Sequence, residues 1–240
     1  MLRRSVLAGV LENAAANARH AGEVRLFEVG PVYLPQSGDK LPREPRRLAI
    51  VLTGPRMDEF WSDAGVRSGP LDFFDLKGIV QALLEDLHVG PAAYQPSQAA
   101  WLHPGKAAAL VVGGNILGDF GLVHPRAAEA CGLGGRALLA GEFDLEALQA
   151  ALPPRYAYAP VPRFPAALRD IALVVDEALP AQRVEQEIRA AGGDLLHGLR
   201  LFDLYRGDSI PAGTKSLAYA LSYLAPDRTL TGKEVDKAHK

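Results

Sequence analysis

The chain has 240 residues, 48% hydrophobic and 22% charged, with a formal net charge of -2. That length suits one large domain or two ordinary ones, and that composition is ordinary for a globular protein able to bury a full core. A charge so close to zero gives no bulk electrostatic case for nucleic acid, and the single cysteine, Cys131, excludes a disulfide framework and a cysteine-based zinc site.

In chain order, Met1-Leu-Arg-Arg could open a signal peptide. Glu12 and Asn13 interrupt the run behind it, however, and Leu2, Val6, Leu7, Val10 and Leu11 fall at helical spacing. The expectation is an amphipathic helix over 5–16, capped by Ser5, reaching about Arg19 and stopped by Gly22. No stretch is long and apolar enough to cross a bilayer, and no membrane role is expected. Residues 24–33 read as a buried strand that breaks at Gly30-Pro31, and 47–54 as a second strand, buried on both faces. Leu76, Ile79, Val80, Leu83, Leu84 and Leu87 predict a helix over 75–88, with Asp72 or Asp75 as its cap. Residues 107–112 and 116–123 form a hairpin about Gly113-Gly114-Asn115. His124-Pro125 opens a short helix, 136–143 is a strand, and Asp144 caps a helix over 145–152.

Four prolines from Pro153 to Pro162 mark a linker. The expected organisation is therefore a domain over 1–152, a linker over 153–162 and a second domain over 163–240. The second domain reads as strand 170–175, helix 181–191, strand 195–205, strand 215–224 and a helix after Thr231. A ferredoxin-like unit runs β-α-β-β-α-β, so the chain is expected to be a fragment, truncated within that unit. The fold class is α+β.

Several constellations have plain readings. The glycines around 113–121 lack the Lys-Ser/Thr and the helix of a phosphate loop. His103, His124 and Cys131 lack the close spacing of metal ligands, and no metal site is expected. Glu142 and Asp144 lie two apart at a strand end, where paired carboxylates can divide into acid and base, but Asp144 reads better as a helix cap. Arg200, Arg206, Lys215, Arg228 and Lys233 interleave with Phe202, Tyr205, Tyr219 and Tyr223 in a pattern that can stack bases and hold phosphates. Yet residues 161–240 carry 11 Lys/Arg against 11 Asp/Glu, so packing and solvated faces explain much of that set.

Phe164-Pro165, Arg169-Asp170-Ile171, Leu201-Phe-Asp-Leu-Tyr-Arg-Gly207, Ile210-Pro211 with Gly213, Lys215-Ser-Leu217 and Arg228-Thr-Leu-Thr231 with Glu234-Val235 resemble the ferredoxin-fold anticodon-binding domain. That domain ends the β subunit of bacterial phenylalanine–tRNA ligase. Leu2-Arg-Arg-Ser-Val-Leu-Ala-Gly9, Arg25-Leu-Phe-Glu-Val-Gly30, Phe74-Asp-Leu-Lys-Gly78, Trp101-Leu-His-Pro-Gly105 and Gly121-Leu-Val-His-Pro125 are similar to the class II synthetase-like module that precedes it. The resemblance implies a cytoplasmic (αβ)₂ ligase whose α subunit uses ATP and Mg²⁺ to charge tRNA(Phe) with phenylalanine. It also implies that this chain supports the α subunit, through helix 5–16 and the loops beside 74–78, and binds the anticodon region. Leu34 and Gln36 stand where a working class II core would place its ATP-clamping arginine and glutamate. The 140–148 junction offers Glu142, Asp144 and Glu146 where another arginine would be. No catalytic residue, ATP or cofactor site is therefore expected in this chain. Tyr205, Arg206, Lys215, Arg200 and Tyr219 are the expected tRNA contacts. The alternatives are a free-standing hydrolase using His103, His124, Glu142 and Asp144, or a regulatory protein that binds an amino acid.

Overall fold

The structure, a computed structural model, describes residues 2–38, 41–57, 69–155, 158 and 161–239. It divides into two compact units, Met1–Ala157 and Tyr158–Lys240. Each is α+β, built on an antiparallel sheet.

The first unit holds strands β1 (Val24–Pro31), β2 (Arg46–Thr53), β3 (Ala92–Pro96), β4 (Leu102–Val112), β5 (Asn115–Val123) and β6 (Leu138–Asp144). They form one sheet in the order β1-β2-β6-β5-β4-β3. Helix α1 (Leu7–Asn17) lies on one face, where Leu7, Val10, Leu11 and Ala14 pack with Val24, Val51, Leu138 and Ala140. Helices α2 (Phe73–Asp86) and α4 (Leu145–Ala150) lie on the other, over Leu48, Ile50, Leu110, Phe120 and Phe143. The short helix α3 (Pro125–Ala130) joins the α1 side through Ala128. Local rules explain the turns. Asp72 accepts from the amides of Phe74 and Asp75, while the Asp75 carboxylate accepts from the Asp72 amide, closing a capping box on α2. Gly113 and Gly114 take φ of 57° and 81°, which a two-residue hairpin demands and side chains resist.

Three expectations change. Helix α1 starts at Leu7 and ends at Asn17, well before Gly22, and its apolar stripe faces inward. Its outer residues, Ala8, Glu12, Asn13 and Ala16, offer a partner no apolar side chain larger than alanine. Second, β1 is an edge strand buried on one face only, with Phe27 74% and Val29 51% exposed. Third, β3 has no counterpart in the sequence reading. It is five residues ending in Pro96, tolerable because it also lies at an edge.

The second unit runs β7 (Ala167–Asp176), α5 (Ala181–Gly192), β8 (Leu196–Tyr205), β9 (Thr214–Tyr223) and α6 (Gly232–His239), with strand order β7-β9-β8. These are the first five elements of a ferredoxin-like unit, in its spatial arrangement. Val184 of α5 and Val235 of α6 cover one sheet face, packed on Leu217, Tyr219, Leu221 and Tyr223. Thr231 and Glu234 cap α6: the Glu234 carboxylate accepts from the Thr231 amide at 2.8 Å and from Arg228 at 2.9 Å. The Thr231 amide, then Arg228, hold its pKa down to about 2 from an ordinary 4.5. A carboxyl whose folded pKa is depressed stabilises above its unfolded pKa and loses that contribution as pH falls through the folded one. The exchange protection factor of the Val235 amide, which donates to Thr231 O, should therefore fall between pH 4.5 and about 2. Glu234→Gln should remove that acid-linked step.

Candidate nucleic-acid interface

The face of the β7–β9–β8 sheet opposite α5 and α6 has no helix on it among the described residues. Register places four rows across it: Leu168–Ser222–Gly198, Asp170–Ala220–Arg200, Ala172–Ala218–Asp203 and Val174–Ser216–Tyr205. The central strand contributes only serine and alanine. This makes a shallow trough between Leu168 and Val174 on one side and Arg200 and Tyr205 on the other. A bulge between Leu201 and Asp203 turns Phe202 outward beside them. Exposed aromatic rings next to a flat floor suit planar ligands, and Arg200 shares the face with Asp170 and Asp203.

The five predicted contact residues separate by strand parity. Arg200 lies on the open face and pairs with no carboxylate among the described residues. Tyr205 ends the same face, and its hydroxyl lies 3.2 Å from Ser209 Oγ. Arg206 follows on the surface, gripped by Glu177: Nη2 reaches Oε1 at 2.7 Å, and Nε reaches Oε1 at 3.0 Å and Oε2 at 3.2 Å. That contact, with its charge attraction, raises the Arg206 pKa and lowers that of Glu177. Lys215 and Tyr219 sit on the helix-covered face. Lys215 is 8% exposed and donates to the Glu177 carbonyl at 2.8 Å. Tyr219 is 0% exposed and its hydroxyl donates to Ala181 O, so it offers no ring to a base. Tyr223 is buried likewise, with its hydroxyl 3.2 Å from His239 Nδ1. Leu168 and Val174 escaped the sequence reading because β7 is apolar on both faces, which hides the side the helices leave open.

In the first unit, the α1 side of the sheet carries a ladder row Glu28–Ala49–Glu142–Asp119–Ala109–Gln95. Its three carboxylates are all engaged. Glu28 pairs with Arg3 at 2.6 Å, and Asp119 accepts from Ser97 at 2.6 Å. Glu142 Oε1 accepts from Ser5 Oγ at 2.9 Å and from the amides of Val6 at 2.8 Å and Leu7 at 3.2 Å. The expected cap Ser5 also accepts from the Leu7 amide, at 3.1 Å, so the start of α1 has two side-chain acceptors. Asp144 caps α4 through the amides of Glu146 and Ala147 and pairs with Arg47 at 2.8 Å. Leu34 exchanges backbone bonds with Arg43 and packs on the α1 core, and Gln36 is exposed. With its carboxylates already engaged, this acidic row offers the phosphates of a nucleotide triphosphate no positive charge. His103 and His124 use Nδ1 to accept from the amides of Gly105 and Arg126. Among the described residues no three His, Cys, Asp or Glu gather as metal ligands, and no helix is long and apolar enough to cross a membrane.

Comparison with known proteins completes the picture. Residues 1–145 match the family described as phenylalanyl tRNA synthetase beta chain CLM domain, and residues 162–240 match the ferredoxin-fold anticodon binding domain. The phenylalanine–tRNA ligase beta subunit of Symbiobacterium thermophilum is 44% identical over 239 residues, which is 99% of this chain and 26% of the relative. The corresponding subunit of Moorella thermoacetica is 43% identical, and that of Bacillus subtilis 37%, each across the whole chain and 29% of the relative. The chain thus spans between a quarter and a third of the length of the curated relatives it matches. Both matches fall in order along it, each on its own compact unit, and the chain belongs to the phenylalanyl-tRNA synthetase β-chain family.

Proposed function

We propose that this chain is the synthetase-like and anticodon-binding part of a phenylalanine–tRNA ligase β subunit. It works in the cytoplasm as part of an (αβ)₂ assembly. The assembly joins phenylalanine to tRNA(Phe) at the expense of ATP, with Mg²⁺, and the chemistry belongs to the α subunit. The first unit is a class II synthetase-like frame without an ATP site, because its sheet presents Glu28, Glu142 and Asp119 where phosphates would need cations. Since α1 turns its apolar stripe inward, the exposed Phe27 and Val29 of β1 and Phe74 and Ile79 of α2 are the better candidates for contact with α. The hydrolase reading is not favoured: Glu142 and Asp144 accept from the first amides of α1 and α4, and His103 and His124 each accept from the amide two residues on.

The observation that carries the RNA half of the proposal is the open β7–β9–β8 face with Arg200, Phe202 and Tyr205 along one side. Tyr205 stacks on a base, Arg200 and Arg206 meet phosphates, and Lys215 and Tyr219 hold the frame that positions them. Binding of tRNA(Phe) tests this. Tyr205→Ala should weaken it by about 5- to 100-fold, the worth of one stacked base. Arg200→Ala should lower both affinity and the steepness of its salt dependence. Unchanged affinity and salt slope in the Arg200→Ala/Tyr205→Ala double variant would remove the face from consideration.

A further inference from the structure

Of the two arginines along the β8 side of the open face, Arg200 two rows from Tyr205 and Arg206 just beyond it, one is free and one is held. Arg200 is unpaired among the described residues, whereas Arg206 is closed by Glu177 through three contacts of 2.7 to 3.2 Å. Two parallel bonds from a guanidinium fork to a carboxylate reproduce the way arginine takes the two free oxygens of a phosphate diester. The carboxylate is also anchored: Glu177 follows the end of β7, and its carbonyl receives the buried Lys215 ammonium at 2.8 Å. We infer that Glu177 occupies the phosphate seat on Arg206 and determines which anions can use it.

This inference rests on the reading of the β7–β9–β8 face as an RNA surface. Both partners are substantially exposed, at 55% for Arg206 and 44% for Glu177, and an ion pair so wet is weak. It is nevertheless intramolecular, so a free phosphate must compete with a carboxylate at high effective concentration. A phosphate within a strand already stacked on Tyr205 competes on the same footing as Glu177, and it can take the fork. Glu177 therefore selects a nucleic-acid strand over inorganic phosphate and mononucleotides. It acts through Arg206 and touches no ligand itself.

The test is a double-mutant cycle on tRNA(Phe) binding by the full chain: wild type, Glu177→Gln, Arg206→Ala and the double variant, each with and without about 10 mM inorganic phosphate as competitor. Glu177→Gln keeps size and polarity while removing the charge, and Glu177→Ala gives the same direction by a second route. Glu177→Gln should bind tRNA about 3- to 10-fold tighter, and inorganic phosphate should inhibit it more than wild type. In the Arg206→Ala background the same change should alter affinity less than about 2-fold. An equal gain in that background would reveal a bulk charge effect and overturn the inference, as would no gain in the Arg206 background. If wild type binds tRNA and Glu177→Gln matches it, only this inference falls. If no variant binds tRNA, the RNA reading falls with it.

Discussion

Replacing Glu142 with alanine should lower the stability of the first unit by about 2–4 kcal/mol, the cost of leaving the donors of a half-buried helix start without their charged acceptor. One carboxylate oxygen takes three donors there: the Ser5 hydroxyl and the Val6 and Leu7 amides. The Val6 side chain is fully buried, so water has poor access to replace the lost acceptor. The negative charge also faces the positive end of α1, which favours the anion over a neutral group. Glu142→Gln keeps an acceptor but not the charge, and should cost about 1 kcal/mol. Trp61 and Trp101 both lie in residues 1–157, so urea unfolding followed by tryptophan fluorescence reports this unit. An alanine variant indistinguishable from wild type would sink the capping role. A catalytic carboxylate at Glu142 predicts the reverse pattern, with stability kept and activity lost.

The contrast between local and distant information runs through the whole chain. Features written within four residues were legible: the Asp72 and Asp144 caps, the Gly113-Gly114 hairpin, and the apolar period of α2. The Thr231 cap belongs with them. What the sequence did not disclose depends on partners far along the chain. Glu142 lies 136 residues from the Val6 amide that it accepts from, and Glu177 lies 29 from Arg206. Burial fails for the same reason. Leu26 and Phe27 are neighbours of similar hydrophobicity, yet Leu26 packs on the α1 core and Phe27 projects to an uncovered side. Only the placement of helices from elsewhere in the sequence decides which face of an edge strand is covered. Among the aromatics the parity rule was available: Leu217, Tyr219, Leu221 and Tyr223 alternate on one face, which marks a core stripe. Tyr219, expected as an RNA contact from its residue type, follows that parity into the core.

Tyr219 therefore supplies the other large effect. Tyr219→Ala should destabilise the second unit by about 3–5 kcal/mol, as for other large aromatic truncations in a packed core. The ring stands at the middle of β9, between Ile171 of β7 and Leu201 of β8, beneath Val184 of α5. Tyr219→Phe gives up only the hydroxyl bond to Ala181 O at 3.3 Å and should cost about 0.5–1.5 kcal/mol near neutral pH. The two variants then diverge from wild type in alkali. Burial, and secondly the charge of Glu185, push the Tyr219 pKa up to about 12 from an ordinary 10.0. The folded state thus keeps its proton where the unfolded chain has lost it. The associated stability is complete below pH 10 and is lost as pH rises through about 12, a total of roughly 2–3 kcal/mol. Tyr219→Phe has no such proton, so its urea midpoint, read from the Leu217 and Leu221 methyl resonances, should fall less steeply above pH 10 than that of wild type. A stacking platform behaves otherwise, because phenylalanine stacks as well as tyrosine and an exposed ring supports no core. If Tyr219→Ala kept its stability and lost tRNA affinity, the ring would have to face solvent, and the assignment of β9 parity to the α5–α6 core would be wrong from Leu217 to Tyr223.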